Sequence, residues 1–241
     1  MIPKTIHYCW FGRGPKSKKE IKCIESWKKF CPNYKIIEWN EDNFDLNLYK
    51  YARQAYEVNK YAFVTDVVRL YVLYNYGGIY MDTDVELVSS IDAFLENHAF
   101  SGFESCNAIP TGIMACEKGF DLFKELLDFY DGKSFFNIDG SMNEATNCQY
   151  ITNICLNYGL VLNNRFQMIR GFVLYPSDFF CPFNNETGKL QKSKNTVAIH
   201  WFSKSWVDNK TKKKIKFTRI LHRFLGTQRV HKWAVRLGLR Q

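Results

Sequence analysis

No two cysteines of this chain form a CxxC pair, and the eight present (9, 23, 31, 106, 116, 148, 155 and 181) match no zinc-site spacing. The opening MIPKTIHYCW lacks the charged stretch followed by an apolar core that marks a secretory leader. Buried free thiols in a reducing cytoplasm are therefore expected, not a disulfide framework. No uninterrupted apolar run approaches the ~20 residues that a membrane span needs, so a soluble or peripheral protein is expected. There is no internal repeat and no low-complexity linker. A length of 241 residues suits one α/β domain.

Acidic residues are missing from Lys210 to Gln241, where eleven basic residues fall; removing those eleven from the net charge of +9 leaves residues 1–209 at −2. A mildly acidic body argues against nucleic-acid binding, because it offers no basic groove. The chain divides into a body, 1–209, and a basic tail, 210–241. In the tail Ile215, Phe217, Ile220, Leu221, Phe224 and Leu225, then Val230, Trp233, Ala234, Val235, Leu237 and Leu239, interleave with Lys and Arg. That spacing predicts amphipathic helix, suited to an anionic membrane surface at the inner face of the cell membrane. The alternative is a helix packed on the body with its basic face in solvent.

What is present reads as alternating strands and helices. Lys4–Trp10 predicts a strand, ended by Gly12, Gly14 and Pro15. Ser17 with Glu20 three residues on predicts a capped helix striped by Ile21, Ile24, Trp27 and Lys28, stopping before Pro32. Tyr34–Trp39 predicts a second strand, and Tyr49–Asn59 mixed helix. Ala62–Tyr76 has apolar residues at 63, 67, 70, 71 and 74, one helical face, ended by Gly77-Gly78. Ile79-Tyr80-Met81 is then a short strand delivering Asp82 at its carboxyl end, where ligands bind in open α/β sheets. Strands are expected at Ala99–Glu104 and Ile113–Cys116, helices at Gly119–Tyr130 and Asn143–Tyr158, and strands with loops over 160–202, including Asn195–Trp201.

Asp82-Thr83-Asp84 places two carboxylates in one turn, able to share a hard divalent cation, Mn²⁺ or Mg²⁺. Such an ion would bridge two phosphates and neutralise charge on a departing diphosphate. Asp66 and Arg69, three residues apart on the preceding helix, are able to reach one ligand, the Asp accepting hydroxyls and the Arg donating to sugar or phosphate oxygens. An ordinary surface salt bridge is the alternative.

The run Asp66-Val67-Val68-Arg69 followed by Gly77-Gly78-Ile79-Tyr80-Met81-Asp82-Thr83-Asp84-Val85 resembles the sugar-binding region of glycosyltransferase family 32, whose DxD-containing fold is called GT-A. Ile2 to Gly12, then Ser26-Trp27 and Trp39-Asn40, resemble the start of bacterial members. Ala198 to Trp206 resembles the family's closing motif. The resemblance implies a GT-A type α/β domain over 1–209, with a mixed, mainly parallel central sheet flanked by helices, and a basic C-terminal helical tail. It implies a retaining enzyme that moves a sugar from a nucleotide-sugar donor, UDP- or GDP-linked, to a saccharide or lipid-linked acceptor of surface polysaccharide, capsule or O-antigen. Carried onto this sequence, Asp82 contacts ribose or metal and Asp84 ligates the metal. Tyr80 lines the donor site, Asp66 and Arg69 hold the transferred sugar, and Trp10 stacks on the nucleobase. His200 is a third metal ligand, and Ser205 and Trp206 close a loop over the phosphates. His200-Trp201 stands where many relatives carry two histidines, which leaves a structural role for His200 open.

Two rival readings remain at this level. Asp82-Thr83-Asp84-Val85 also fits the nucleophile motif of haloacid-dehalogenase-like phosphatases, with Asp82 attacking phosphorus, although about 80 residues of α/β pattern precede it. A carbohydrate-binding protein that has lost turnover is the other. Glu104 and Asn147 are candidates for acceptor contacts or for ordinary polar structure.

Overall fold

The computed structural model describes residues 1–104, 108–203 and 209–236. In chain order its elements are β1 (Thr5–Cys9), α1 (Lys18–Phe30), β2 (Lys35–Trp39), α2 (Lys50–Glu57), α3 (Tyr61–Tyr76), β3 (Gly78–Met81), β4 (Val85–Leu87), β5 (Ala99–Gly102) and β6 (Ile113–Cys116). They continue as α4 (Asp121–Asp128), α5 (Asn147–Asn157), β7 (Gln167–Ile169), β8 (Phe172–Tyr175), α6 (Ser177–Phe180), β9 (Ala198–His200), α7 (Asn209–Leu225) and α8 (Thr227–Arg236).

Among the described residues, seven strands form one sheet in the order β2-β1-β3-β6-β5-β8-β7. Strands β1, β2, β3, β5 and β8 run one way and β6 and β7 the other, so the sheet is mixed but mainly parallel, as expected. A separate two-stranded ladder pairs β4 with β9, setting Val85 opposite His200.

Local sequence accounts for the elements that frame the DxD turn. The Ser17 side chain accepts from the Lys19 N–H while Glu20 Oε2 accepts from the Ser17 N–H at 2.6 Å, the reciprocal cap foreseen for α1. The buried face of α1 is Glu20, Cys23, Ile24 and Trp27. Ile21, placed on the stripe by sequence, is exposed instead, since it lies one residue and so about 100° around the helix from Glu20. Helix α3 buries far more than one face: Val64, Val67, Val68, Leu70, Val72 and Leu73 are all buried, as are Asp66 and Arg69. An apolar helix enclosed on most sides holds its charged residues only where they are paired.

Helix α3 stops at Gly77, whose N–H donates to Leu73 O and whose φ is 66°. Gly78 follows at φ 101°, and a Cβ there would lie 2.7 Å from Thr5 O of β1. Only a residue without a side chain turns the chain from α3 straight into β3 so close to β1. Strand periodicity then sends Ile79 and Met81 to the face holding Trp27 and Val85, and Tyr80 to the face holding α3.

Differences from the sequence reading fall at element ends and in short elements. Strand β5 ends at Gly102, and helices α4 and α5 are shorter than expected. Strand β4 and the four-residue α6 were not foreseen. The described cysteines are free, and all but the half-buried Cys148 are buried; Cys106 lies outside the described residues. Among the described residues no helix is long and apolar enough to cross a membrane.

Candidate active site

The site forms where α3, the turn after β3 and the end of β9 meet. Asp82 leaves β3 with its N–H donating to Gly112 O at 2.8 Å. Its Oδ1 accepts from the Tyr80 hydroxyl at 2.8 Å and lies 3.4 Å from Arg69 Nη2. Tyr80 itself is buried, and the Arg69 guanidinium carbon sits 4.8 Å from its ring centroid. It therefore backs Arg69 and Asp82, presenting only its hydroxyl to the site.

Arg69 is a hub. Nη2 lies 3.3 Å from Asp66 Oδ1, Nη1 donates to Thr111 O at 2.6 Å, and Nε donates to Thr65 O at 3.3 Å. Burial works against its charge, but the neighbouring Asp82, Tyr80 and Asp66 more than offset this and hold it protonated. The Asp66–Arg69 pair is thus a buried, shared constellation and not a surface bridge.

Burial raises the Asp66 carboxyl to about 6, with Arg69 and a hydrogen bond from Asn147 opposing that rise. Asn147 is the first residue of α5; its N–H donates to Asp66 Oδ2 at 3.4 Å and its Nδ2 to Asp66 O at 2.6 Å. Asn147 Oδ1 in turn accepts from the Tyr130 hydroxyl at 2.5 Å. The Asn147 side chain is spent on structure, settling one alternative left open by sequence. Glu104 bridges to Ala108.

Asp84 and His200 come together because β4 pairs with β9. His200 Nε2 is 3.2 Å from Asp84 Oδ1 and 4.0 Å from Asp82 Oδ2. Asp84 Oδ2 accepts from the Ser203 N–H at 2.6 Å. Burial would raise the Asp84 carboxyl, yet His200 and the Ser203 N–H hold it down at about 2. For His200 burial opposes protonation, and Asp84 outweighs it, so the imidazole is held well above its usual range. One ligand atom from each of Asp82, Asp84 and His200 lies within 4.8 Å of the others. Two carboxylate oxygens and one imidazole nitrogen so placed are a fitting donor set for Mn²⁺, and for Mg²⁺ with more water in its shell.

Sequence reasoning passed over three contributors. Gly112 packs against the His200 ring: a Cβ there would lie 2.6 Å from Cε1 and 2.8 Å from Nδ1. Phe202 stacks on His200 at 4.0 Å between centroids, and its φ of 47° is a rare conformation for a bulky residue. That backbone turn precedes the Ser203 N–H that meets Asp84. No local sequence signal marks any of the three.

Trp10 is half-buried; its Nε1 donates to Gly14 O at 2.6 Å and Lys16 Nζ lies 5.1 Å from its ring. Trp201 donates its backbone N–H to Asp84 O at 3.1 Å and its Nε1 to Glu86 Oε2 at 2.9 Å. Ser205 and Trp206 lie outside the described residues.

With this geometry in view, residues 17–101 match the family described as "Glycosyltransferase sugar-binding region containing DXD motif". The matched span includes Asp66, Arg69, Tyr80, Asp82 and Asp84 and stops short of His200. Inositol phosphoceramide mannosyltransferase 3 of Schizosaccharomyces pombe is 31% identical over 133 residues, covering 49% of this chain and 34% of its own. Mannosyl phosphorylinositol ceramide synthase SUR1 of Saccharomyces cerevisiae is 31% identical over 107 residues, covering 42% of this chain and 27% of its own. The chain thus spans about a third or less of the length of these curated relatives. Among solved structures, PaToxG glycosyltransferase superposes with a TM-score of 0.51 at 20% identity, over 65% of this chain and 69% of that one. The apo form of the glycosyltransferase GlyE of Streptococcus pneumoniae TIGR4 gives 0.50 at 8% identity, over 98% and 64%. The fold is of the GT-A type.

Proposed function

We propose that this chain is a metal-dependent, retaining glycosyltransferase that moves a sugar from a UDP- or GDP-linked donor to a saccharide or lipid-linked acceptor. The observation that carries this reading is the meeting of Asp82, Asp84 and His200 beside the buried Asp66–Arg69 pair. A phosphatase needs one free, attacking carboxylate at Asp82. Here Tyr80 and Arg69 both engage Asp82, and the strand before it is the third of its sheet in chain order.

Asp82, Asp84 and His200 would hold the ion, Mn²⁺ or Mg²⁺, which when bound supplies positive charge against the departing diphosphate. Asp66 and Arg69 hold the transferred sugar, and their shared burial fixes them before the donor arrives. Trp10 offers a face to the base, and Ser205 and Trp206, outside the described residues, are assigned to the phosphates by resemblance alone. Retention follows a front-face course, in which the leaving phosphate oxygen takes the acceptor proton. Supporting this, Asp66 is tied to Arg69 and Asn147, and Asp84 to His200 and Ser203, so neither is poised to form a covalent glycosyl intermediate.

The acceptor is a saccharide, free or lipid-linked, of a surface polysaccharide. Two relatives are named for transfer to, or synthesis of, inositol ceramides, which is in keeping with a lipid acceptor. The tail helices support attachment to an anionic surface: Phe217, Ile220 and Phe224 on α7 and Trp233 on α8 are exposed among basic residues. An anionic surface is in keeping with the cytoplasmic face of a cell membrane. The deciding experiment is donor hydrolysis across UDP- and GDP-sugars with Mn²⁺ present; turnover of none of them, by a folded chain, refutes the reading.

A further inference from the structure

With a divalent ion bound, the charges around the DxD turn would sum to zero, so the charge that a donor's diphosphate brings is not fully balanced there. Asp66, Asp82 and Asp84 carry three negative charges, which Arg69 and a divalent ion together cancel. Arg69 is already engaged by Asp66, Asp82, Thr111 O and Thr65 O, and the donor capacity left to it is assigned above to the transferred sugar. A diphosphate entering that neutral cluster needs a further cation, since its charge would otherwise be partly desolvated without a partner.

The first turn of α1 lies beside the cluster, with Lys19 over the ring of Trp201, the residue after His200, while Trp27 near the other end of the helix donates its Nε1 to Val85 O of β4 at 2.7 Å. Two lysines there are committed: Lys16 Nζ lies 2.7 Å from Glu38 and Lys22 Nζ 2.9 Å from Glu86. Lys19 differs. Its Nζ sits 5.2 Å from the centroid of the Trp201 ring, and among the described residues no carboxylate lies within ion-pair distance of it. The ring is fixed from two ends, by the backbone bond to Asp84 and the indole bond to Glu86. A cation held over an aromatic face is positioned without being neutralised, so its charge stays available to an anion. Burial works against the Lys19 charge, and Asp84 is the strongest favourable charge opposing that.

We infer that Lys19, held on Trp201 beside the Asp84 ligand, is the cation that receives the diphosphate of the donor. Trp201 would then be the positioning residue, holding a lysine from α1 next to His200. This rests on the glycosyltransferase reading above, and names a residue outside the DxD turn for its donor site.

Calorimetric titration of the full chain with UDP and with GDP, in MnCl₂, tests it. Lys19→Ala should weaken the nucleotide that the unaltered chain binds by about tenfold, as expected for a lost charge-assisted contact. Lys19→Arg should keep most of the affinity, and Lys18→Ala, removing an exposed charge one residue earlier, should keep all of it. Unchanged affinity in Lys19→Ala, or an equal loss in Lys18→Ala, overturns the assignment while leaving the enzyme reading intact. Binding of neither UDP nor GDP by the unaltered chain overturns both. A thermal unfolding midpoint shared by all four chains ties any loss to the contact and not to the fold.

Discussion

Asp84 Oδ1 lies 3.2 Å from His200 Nε2, and what brings these residues together is a three-residue strand pairing that no local pattern announces. Two consequences follow for metal binding. Asp84→Ala removes a ligand and also the charge that holds His200 in place, so it should abolish transfer even at saturating Mn²⁺. EDTA should do the same to the unaltered chain, with Mn²⁺ or Mg²⁺ restoring it. Full activity of a folded Asp84→Ala chain, judged by circular dichroism, would refute the metal site.

Gly112 gives a sharper probe of the same geometry, because it has no side chain with which to act as a ligand. A methyl group there would lie 2.6 Å from the His200 ring, closer than van der Waals contact permits. Gly112→Ala should displace the imidazole and raise the Mn²⁺ concentration needed for half-maximal activity by about ten- to a hundredfold, the usual cost of disturbing a ligand's support. An unchanged metal titration would show that His200 is not a ligand.

The parts of this site that sequence revealed are those written within a few residues of each other. Asp82 and Asp84 share a turn, Asp66 and Arg69 share a helix, and Ser17 with Glu20 announces the start of α1; each is short-range chemistry. His200 came from resemblance alone, since its partner strand β4 is only Val85-Glu86-Leu87 and reads as loop. Ser203 acts through a backbone N–H, which leaves no mark on residue identity, and Gly112 is required by a ring 88 residues away, which no local pattern shows. The Ile21 stripe failed for a different reason. Burial of the capping Glu20 rotated the inward face of α1 by one residue, so an apolar residue points to solvent while a carboxylate is enclosed.

Because Asp66 and Arg69 are buried together, their removal should damage turnover more than nucleotide affinity. Losing a charged hydrogen bond costs about 1.5–3 kcal/mol, roughly tenfold to over a hundredfold in rate. Asp66→Asn keeps the shape and the bonds from Asn147, so it isolates the charge. Normal kcat in both Asp66→Asn and Arg69→Ala would remove them from sugar recognition. Trp10→Ala should show the reverse bias, weakening nucleoside diphosphate itself.

Away from the site, His7 links acid to stability. Its Nδ1 accepts from Trp39 Nε1 at 3.0 Å, so Nε2 carries the proton and donates to Gly77 O at 2.9 Å. Burial pushes its pKa down to about 4 from 6.5, with the Gly77 bond opposing. A folded value below the unfolded one means that this contribution is complete above pH 6.5 and is lost as pH falls towards 4. The loss is at most about 3 kcal/mol. Urea unfolding at pH 7 and pH 4.5 should show it, and His7→Gln should show a smaller difference between the two pH values. Equal pH sensitivity in both chains would assign the acid loss elsewhere.

The tail is best tested by substitution, because α7 is already built onto the body. Arg219 donates Nε to Asn185 O at 2.9 Å and Nη2 to Asn185 Oδ1 at 3.0 Å, and Arg223 donates to Thr187 O and Gly188 O. Those two arginines are spent on docking, so cutting the chain at Asn209 would disturb the body and the surface together. The outward groups are what a membrane would meet: Phe217, Ile220 and Phe224, spaced three and four residues apart on α7, with Phe224 at 81% exposure, and Trp233 on α8. Lys214 and Lys216 lie exposed nearby. Each basic residue near an anionic surface contributes about 1 kcal/mol before salt screens it, and the aromatic groups add apolar burial that salt does not weaken. Sedimentation with anionic vesicles should therefore pellet the unaltered chain strongly at low salt and partly at high salt. Phe217→Ser with Phe224→Ser should lose the salt-resistant part, and Lys214→Gln with Lys216→Gln the salt-sensitive part, while hydrolysis of a soluble donor stays unchanged in both. Equal, negligible pelleting of all three chains at low salt would remove the membrane from the account and leave the chemistry at Asp82 and Asp84 as it stands.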